Sequence, residues 1–188
     1  MIYTKLKSFI KNIIKPIKVG QFQDREGHLG GYIYGQPAKG SWCPDLWKWI
    51  VNDLQVESVL DVGCGQGFCL EYFKELGCEV LGVDGSPSAI KHNRVPHDVV
   101  RHDFTKAMWE PSRKFDVVWS SEFLEHVDEK YVSNYLSAFE SAGKYLFITY
   151  AEPGQGGYHH VNEKHKEYWI DVFEKIGFEY DVDITKKA

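Results

Sequence analysis

The sequence predicts an α/β fold in three layers, with a parallel sheet between helices, and three observations support this prediction. Short apolar segments alternate with helical patterns from Pro44 to the C-terminus, an order that produces a parallel sheet. A glycine-rich turn at residues 63–67 joins the first of these segments to a helix, and Asp84 ends the second one. The 188 residues are enough for one domain with its own core.

Each element follows from its own pattern. Proline is favoured in the first turn of a helix, so Pro44 opens a helix whose apolar residues include Trp47, Ile50 and Leu54. The other predicted helices cover residues 68–76, 87–92, 131–142 and 165–176, the last stopped by Gly177. The predicted strands cover residues 58–62, 79–83, 98–101, 115–120, 145–150 and 178–184.

The N-terminal residues 1–40 differ from the domain predicted at residues 41–188. They begin with a basic amphipathic pattern that Pro16 ends, followed by a loop rich in glycine and tyrosine. The lysines are Lys5, Lys7, Lys11, Lys15 and Lys18, and the apolar positions are Leu6, Phe9, Ile10, Ile13 and Ile14. We expect this helix to pack on its own domain or on a second copy in a homodimer. Docking on an acidic partner or a membrane surface is the alternative.

Composition limits the classes of partner and compartment. The net charge of −5 gives no general surface for polyanions, so nucleic acid is not an expected partner. The four cysteines lack C-x-x-C spacing, which predicts reduced thiols. No apolar run approaches the roughly 20 residues of a membrane-spanning helix, and no signal peptide is evident. These features predict a soluble cytoplasmic protein.

The glycine-rich turn predicts a cofactor site at the end of the first strand. The segment from Val59 to Gly67 reads VLDVGCGQG, with alternate glycines at 63, 65 and 67. The dinucleotide pattern G-x-G-x-x-G would need glycine at position 68, which is Phe68 here. The segment resembles motif I of class I methyltransferases that use S-adenosylmethionine (SAM), and the resemblance continues through most of the chain from about Trp42.

This resemblance implies a set of SAM-binding residues at successive strand ends. They are Asp61, Gly63, Cys64, Gly65 and Gly67 in the turn, Asp84, Gly85 and Ser86 for the ribose, Asp103 and Phe104 for the adenine, and Ser120 for the methionine part. A carboxylate such as that of Asp84 accepts hydrogen bonds from both ribose hydroxyls. Simpler roles stay open: Asp84 as a helix cap, Asp103 as a turn residue and Ser120 as a polar strand end.

Two segments that contain histidine are candidates for the chemistry, and the first is Glu122-Phe123-Leu124-Glu125-His126. It resembles an E-x-x-E-H segment of small-molecule methyltransferases, including those that act on quinone precursors. It also resembles the segment with which small-RNA 2′-O-methyltransferases hold Mg²⁺. That second resemblance implies a ligand set of Glu122, Glu125, His126 and either His159 or His160. Two imidazoles are unusual for Mg²⁺, so we predict no metal, with Glu125 and His126 shaping the pocket.

The second segment combines a glycine-rich loop at residues 152–157 with Tyr158, His159, His160 and Asn162. The glycines allow a mobile lid, and a histidine is a suitable general base near neutral pH. We predict His160 as the base, with His126 and Glu125 as the other catalytic candidates. A surface loop with solvated histidines, and a purely structural His126, are the alternatives.

The end of the chain departs from the family's pattern. Class I methyltransferases usually close with an antiparallel hairpin, whereas only residues 178–184 remain here as a strand candidate. We therefore expect the last antiparallel strand to be absent, or a partner chain to cover the open sheet edge.

Together these features predict a SAM-dependent methyltransferase acting on a hydroxyl of a small molecule, with S-adenosylhomocysteine (SAH) as product. DNA is not expected, because Ser120-Ser121-Glu122-Phe123 replaces the Asn/Asp-Pro-Pro-aromatic pattern of amino methyltransferases. The alternatives are a metal-dependent RNA ribose methyltransferase and a non-catalytic SAM-binding subunit of a complex. A nicotinamide-dependent oxidoreductase is disfavoured by Phe68.

Overall fold

The computed structural model describes residues 23–37 and 40–188. The basic amphipathic helix predicted before Pro16 lies outside these residues. The described chain begins with an antiparallel hairpin of β1 (Gln23–Arg25) and β2 (Gly31–Ile33), joined through a 3-10 turn at Gly27–Leu29. The main sheet follows.

The main sheet confirms the predicted α/β class. Its strands are β3 (Ser58–Val62), β4 (Glu79–Asp84), β5 (Val99–Arg101), β6 (Phe115–Ser120) and β7 (Ala142–Ile148). They are all parallel and lie in the order β5-β4-β3-β6-β7. The order reverses between β3 and β6, and ligands of open parallel sheets bind in the crevice at the carboxyl ends of strands around such a reversal.

Helices cover both faces of the sheet. They are α1 (Pro44–Asp53), α2 (Phe68–Glu75), α3 (Pro87–Lys91), α4 (Val132–Phe139), α5 (Lys166–Glu174) and α6 (Val182–Lys187). Alternate residues of β3 enter different cores: Val59 packs with Trp47 and Phe73 of α1 and α2, whereas Leu60 packs with Tyr135 and Trp169 of α4 and α5. This alternation makes the three layers.

The predicted strand at residues 178–184 is wrong. Asp181 caps a short helix there instead, because its carboxylate accepts hydrogen bonds from the N–H groups of Asp183 (2.9 Å) and Ile184 (2.8 Å). Among residues 23–37 and 40–188 no antiparallel strand joins the main sheet, which ends at β7.

Other boundaries shift by a few residues. The helix predicted at 131–142 divides into a 3-10 turn at Glu129–Tyr131 and α4, and β7 starts three residues earlier than predicted. The four cysteines are free thiols. Within the described part of the chain, no helix has the length and apolar character to cross a membrane.

Candidate active site

A cleft of about 220 Å³ lies at the carboxyl ends of the central strands, where the sequence predicts the cofactor. Its floor is the turn between β3 and α2. Gly63 and Gly65 have φ of 80° and 53°, a backbone conformation in which side chains are strained. A Cβ on Gly63 would approach the Phe123 ring to 2.6 Å, whereas a Cβ on Gly65 would meet no protein atom within 4 Å. Gly65 therefore borders open space in the cleft.

Asp84 at the end of β4 fixes the shape of this turn. Its Oδ2 accepts a hydrogen bond from the Gly65 N–H and its Oδ1 accepts one from the Ser86 N–H, both at 2.8 Å. The carboxylate also lines the cleft. Burial raises the pKa of Asp84 by more than the two backbone hydrogen bonds lower it. One side chain thus holds the glycine turn and offers its remaining lone pairs to a ligand.

Asp61 on β3 is a second carboxylate in the cleft, and only 3% of the residue is exposed. Burial, followed by the charge of Asp84, raises its pKa to about 8. Cys64, Gly67, Gly85, Ser86 and Ser120 complete the predicted cofactor set. Cys64 and Ser86 line the cleft, Gly67 is the N-cap of α2, and Gly85 lines a neighbouring cavity. The Ser120 hydroxyl is buried and donates to the Val62 carbonyl at 2.8 Å.

That neighbouring cavity, of about 40 Å³, lies on the side predicted for adenine. Asp103 and Phe104 both line it. Asp103 Oδ1 accepts from the Thr105 N–H (2.9 Å) and hydroxyl (2.7 Å), and Oδ2 lies 2.9 Å from Nε2 of His28. Desolvation acts to raise the pKa of Asp103, but the hydrogen bonds from His28 and Thr105 outweigh it, so this pKa is lowered.

Residues 26–31 form one wall of the cleft, which the sequence analysis missed. We call this segment the N-terminal strap. Glu26 accepts a hydrogen bond from the Ser88 N–H at 3.1 Å, and His28 pairs with Asp103. Leu29 packs so closely on Gly85 that a Cβ there would lie 2.7 Å from it. Only the glycine pair at 30–31 distinguishes this segment in the sequence.

The segment from Glu122 to His126 follows β6 and ends in a 3-10 turn at Leu124–His126. His126 lines both the cleft and the adenine-side cavity. Its Nδ1 lies 3.3 Å from the His159 carbonyl oxygen. Burial, with a smaller contribution from His160, lowers the pKa of His126 to about 4. The imidazole is therefore neutral at pH 7.

Glu125 and His160 lie behind His126 and do not line the cleft. Glu125 is fully buried, and neither of its carboxylate oxygens has a hydrogen-bond partner within the protein. Burial raises its pKa to about 8, assisted by the charge of Glu122. The His160 ring lies 5.1 Å from the His126 ring, and its Nδ1 is 3.4 Å from Glu163. The three catalytic candidates thus form one cluster.

This cluster has the composition of a metal site. Glu125, His126 and His160 each offer a ligand atom, and these atoms all lie within 4.8 Å of one another. A cation would satisfy the unpartnered carboxylate. Glu122 lies outside this group, next to Thr149, and His159 contributes its backbone carbonyl to His126.

The glycine-rich loop predicted as a lid is anchored by Glu163. The N–H groups of Gly154 and Gly156 donate to the Glu163 carboxylate at 2.7 and 2.6 Å. These bonds lower the pKa of Glu163, that from Gly154 most. Gly157 lies against the His160 ring, so that a Cβ there would be 2.3 Å from Nε2. The loop therefore packs over the Glu125 cluster.

Comparison with known proteins identifies the family of the domain. Residues 40–180, three quarters of the chain, match the family described as a methyltransferase domain. The chain belongs to this family. A methyltransferase domain of this class I, Rossmann-like kind uses SAM and yields SAH, as the sequence predicted.

The domain is similar to a ubiquinone biosynthesis O-methyltransferase of Ruegeria sp. (strain TM1040), with 35% identity over 123 residues, covering 61% of this chain and 45% of that protein. The chain spans about a third to a half of the length of such curated relatives.

Solved methyltransferase structures share the fold of this domain. The SAM-dependent methyltransferase of Archaeoglobus fulgidus is 28% identical, with a TM-score of 0.55 over 75% of this chain and 72% of that chain. Magnesium protoporphyrin IX methyltransferase of Synechocystis PCC 6803 with bound SAM shares the fold at 19% identity, with a TM-score of 0.58 over 72% and 66%.

The residues of the methyltransferase cleft fit SAM on two counts. Gly65 leaves open space where any side chain would project. Asp61 is a buried carboxyl group whose pKa is raised to about 8. A nearby cation would offset the free-energy cost of ionising it. SAM carries two cationic groups, an ammonium and a sulfonium.

Proposed function

We propose that this methyltransferase domain transfers the methyl group of SAM to a hydroxyl group of a small molecule, with a histidine as general base. The similarity to curated O-methyltransferases supports oxygen as the acceptor atom. The observation that carries the proposal is that His126, a neutral imidazole, lines the cofactor cleft. The sequence analysis gave His160 precedence, but His160 does not line this cleft.

The hydrogen bond to His159 supports a specific role for each His126 nitrogen. A neutral imidazole that donates Nδ1–H to the His159 carbonyl carries its lone pair on Nε2, the nitrogen that can then accept a proton. When bound, SAM supplies a methyl group made electrophilic by the sulfonium. His126 then accepts the hydroxyl proton, and Asp84 and the glycine turn hold the cofactor in register.

His126→Asn tests the base directly. We expect kcat to fall about 100-fold or more, because general bases contribute on the order of 10²–10⁴, while the Kd for SAH changes less than about threefold. His160→Asn is the matched variant, and a smaller loss of kcat in it supports His126 as the base. Equal kcat values for His126→Asn and the unaltered protein would contradict the proposal. Failure to bind SAH would contradict SAM-dependent activity altogether.

Metal-assisted transfer to a ribose hydroxyl of RNA is a second candidate, favoured by the cluster of Glu125, His126 and His160. A divalent ion there would stabilise the ionised acceptor hydroxyl. Calorimetric titration of the metal-free protein with Mg²⁺, Mn²⁺ and Zn²⁺ tests the site without relying on activity. Binding lost in Glu125→Gln and retained in Glu129→Gln, an exposed control, supports it. Absence of binding, with activity unchanged under chelator, would exclude this candidate.

A further inference from the structure

We propose that a second cavity, next to the cofactor cleft, is the acceptor site, and that Glu122 makes it select uncharged or cationic acceptors over anionic ones. This inference rests on the proposed function, because an acceptor hydroxyl must reach the methyl group held in the cleft. Nothing in the similarity to known proteins assigns either the cavity or this role of Glu122.

The cavity has a volume of about 200 Å³ and lies between the start of α1 and the ends of β6 and β7. Its apolar wall is formed by Leu46, Trp119, Phe147 and Ile148. The rings of Trp119 and Phe147 are stacked, with centroids 6.1 Å apart and planes inclined by 26°. Most of each ring is buried in the core, so the wall is rigid and apolar, which suits a small apolar group.

The cavity adjoins the methionine side of the cleft. It shares Ser41, Trp119, Ser121 and Glu122 with the cleft. The predicted adenine contact Asp103 follows β5 at one edge of the sheet, whereas this cavity lies at β6 and β7 towards the other edge. His126 lines the cleft and not this cavity, so the hydroxyl of an occupant must extend past Glu122 into the cleft to reach both the methyl group and the base.

Glu122 stands at the boundary of the two spaces in an unusual backbone conformation. Its φ is 55°, which costs energy for a residue other than glycine and is found preferentially at functional sites. Thr149, just after β7, holds it there: the Thr149 hydroxyl oxygen accepts the Glu122 N–H at 2.9 Å and lies 3.5 Å from its Oε1. Glu122 is exposed and lines both spaces.

No Lys, Arg or His of the described chain lines the cavity beside Glu122, and its electrostatic partner His160 lies outside the cavity. Among the described residues that line it, Glu122 is the only Asp, Glu, Lys or Arg. A carboxylate accepts hydrogen bonds and donates none, so an acceptor hydroxyl or ammonium pairs with it favourably. An acceptor with its own carboxylate or phosphate would bring two negative charges together in a confined space.

A matched set of probes tests the inference: 4-ethylphenol, tyramine and 4-hydroxyphenylacetate, which share a phenol and are respectively uncharged, cationic and anionic. Binding of each to the SAH-loaded protein is measured by calorimetry, and methyl transfer from SAM is measured in parallel. We expect the uncharged and cationic probes to bind at least tenfold more tightly than the anionic one.

The isosteric variant Glu122→Gln should reduce this preference to about threefold or less, measured on SAH-saturated protein because Glu122 also lines the cofactor cleft. Glu152→Gln is the control, because Glu152 is also an acid after β7 but does not line the cavity, and it should keep the full preference. Equal binding of all three probes, or of none, while SAH still binds would overturn the inference. Loss of SAH binding in the unaltered protein would instead overturn the proposed function.

Discussion

Asp61 shows how a single buried carboxyl group links cofactor chemistry to stability. It is almost inaccessible, and its pKa is raised to about 8 from an ordinary value near 3.8. The folded protein therefore retains a proton that the unfolded chain releases. Between about pH 4 and pH 8 this group makes stability fall as pH rises, by up to about 1.4 kcal/mol per pH unit.

Asp61→Asn removes that dependence. We expect the free energy of unfolding of the variant, minus that of the unaltered protein, to increase from pH 5 to pH 8 and then to level off. Urea unfolding at pH 5, 6.5 and 8 measures this difference. A difference that stays constant with pH would show that Asp61 has an ordinary pKa in the folded protein.

The glycines of the turn give a second prediction at the residue scale, as a matched pair. Both require positive φ, so alanine costs roughly 1–2 kcal/mol of stability at each. Gly63→Ala adds a clash with Phe123, for a total of roughly 2–4 kcal/mol.

Gly65→Ala meets no protein atom but projects into the cleft, so we expect it to lower SAH affinity at least tenfold while costing less stability than Gly63→Ala. Thermal unfolding and calorimetric titration of the two variants distinguish these effects. Normal SAH affinity in Gly65→Ala would show that the cofactor does not approach this backbone.

At the scale of elements, α6 depends on its cap. Asp181→Ala leaves the N–H groups of Asp183 and Ile184 without their acceptor, and we expect a loss of about 1 kcal/mol. Asp181→Asn keeps an acceptor oxygen and should cost much less. Chemical denaturation of the two variants provides the comparison, and equal losses would mean that the cap contributes little.

The strands of the main sheet could be predicted from the sequence, whereas α6 could not. The strands β3, β4 and β6 were predictable because each contains a short apolar run that ends at a glycine, an acid or a pair of serines. The segment 178–184 has an apolar pattern that also suits a strand, and its helical outcome depends on local hydrogen bonds of Asp181. An apolar pattern in so short a segment does not distinguish the two.

In the candidate site, too, the sequence could place some residues and not others. Positions of Asp61, Gly65 and Asp84 in one cleft follow from strand order, because carboxyl ends of parallel strands share one edge. The grouping of Glu125 with His160 joins segments 35 residues apart through a loop whose path Glu163 fixes. No local pattern specifies that path, so the sequence suggested the residues but left open which histidine faces the cleft.

At the scale of the whole molecule, cofactor binding and folding are coupled. A ligand that binds only the folded state at 100 times its Kd stabilises that state by about 2.7 kcal/mol. For a domain of this size, we expect saturating SAH to raise Tm by about 5–10 °C. Differential scanning calorimetry measures the shift, and NAD⁺ serves as the control. A shift with NAD⁺ alone would contradict the assigned cofactor.

The N-terminal strap borders the cofactor side of the site and not the side proposed for the acceptor. It borders the cofactor cleft through Glu26 and Leu29 and the adenine-side cavity through His28 and Leu29, and none of its residues lines the cavity proposed for the acceptor. Two contacts hold the strap in place: the Ser88 N–H donates to Glu26, and His28 pairs with Asp103. The strap is therefore a wall of the cofactor cleft whose contacts do not involve the cavity proposed for the acceptor.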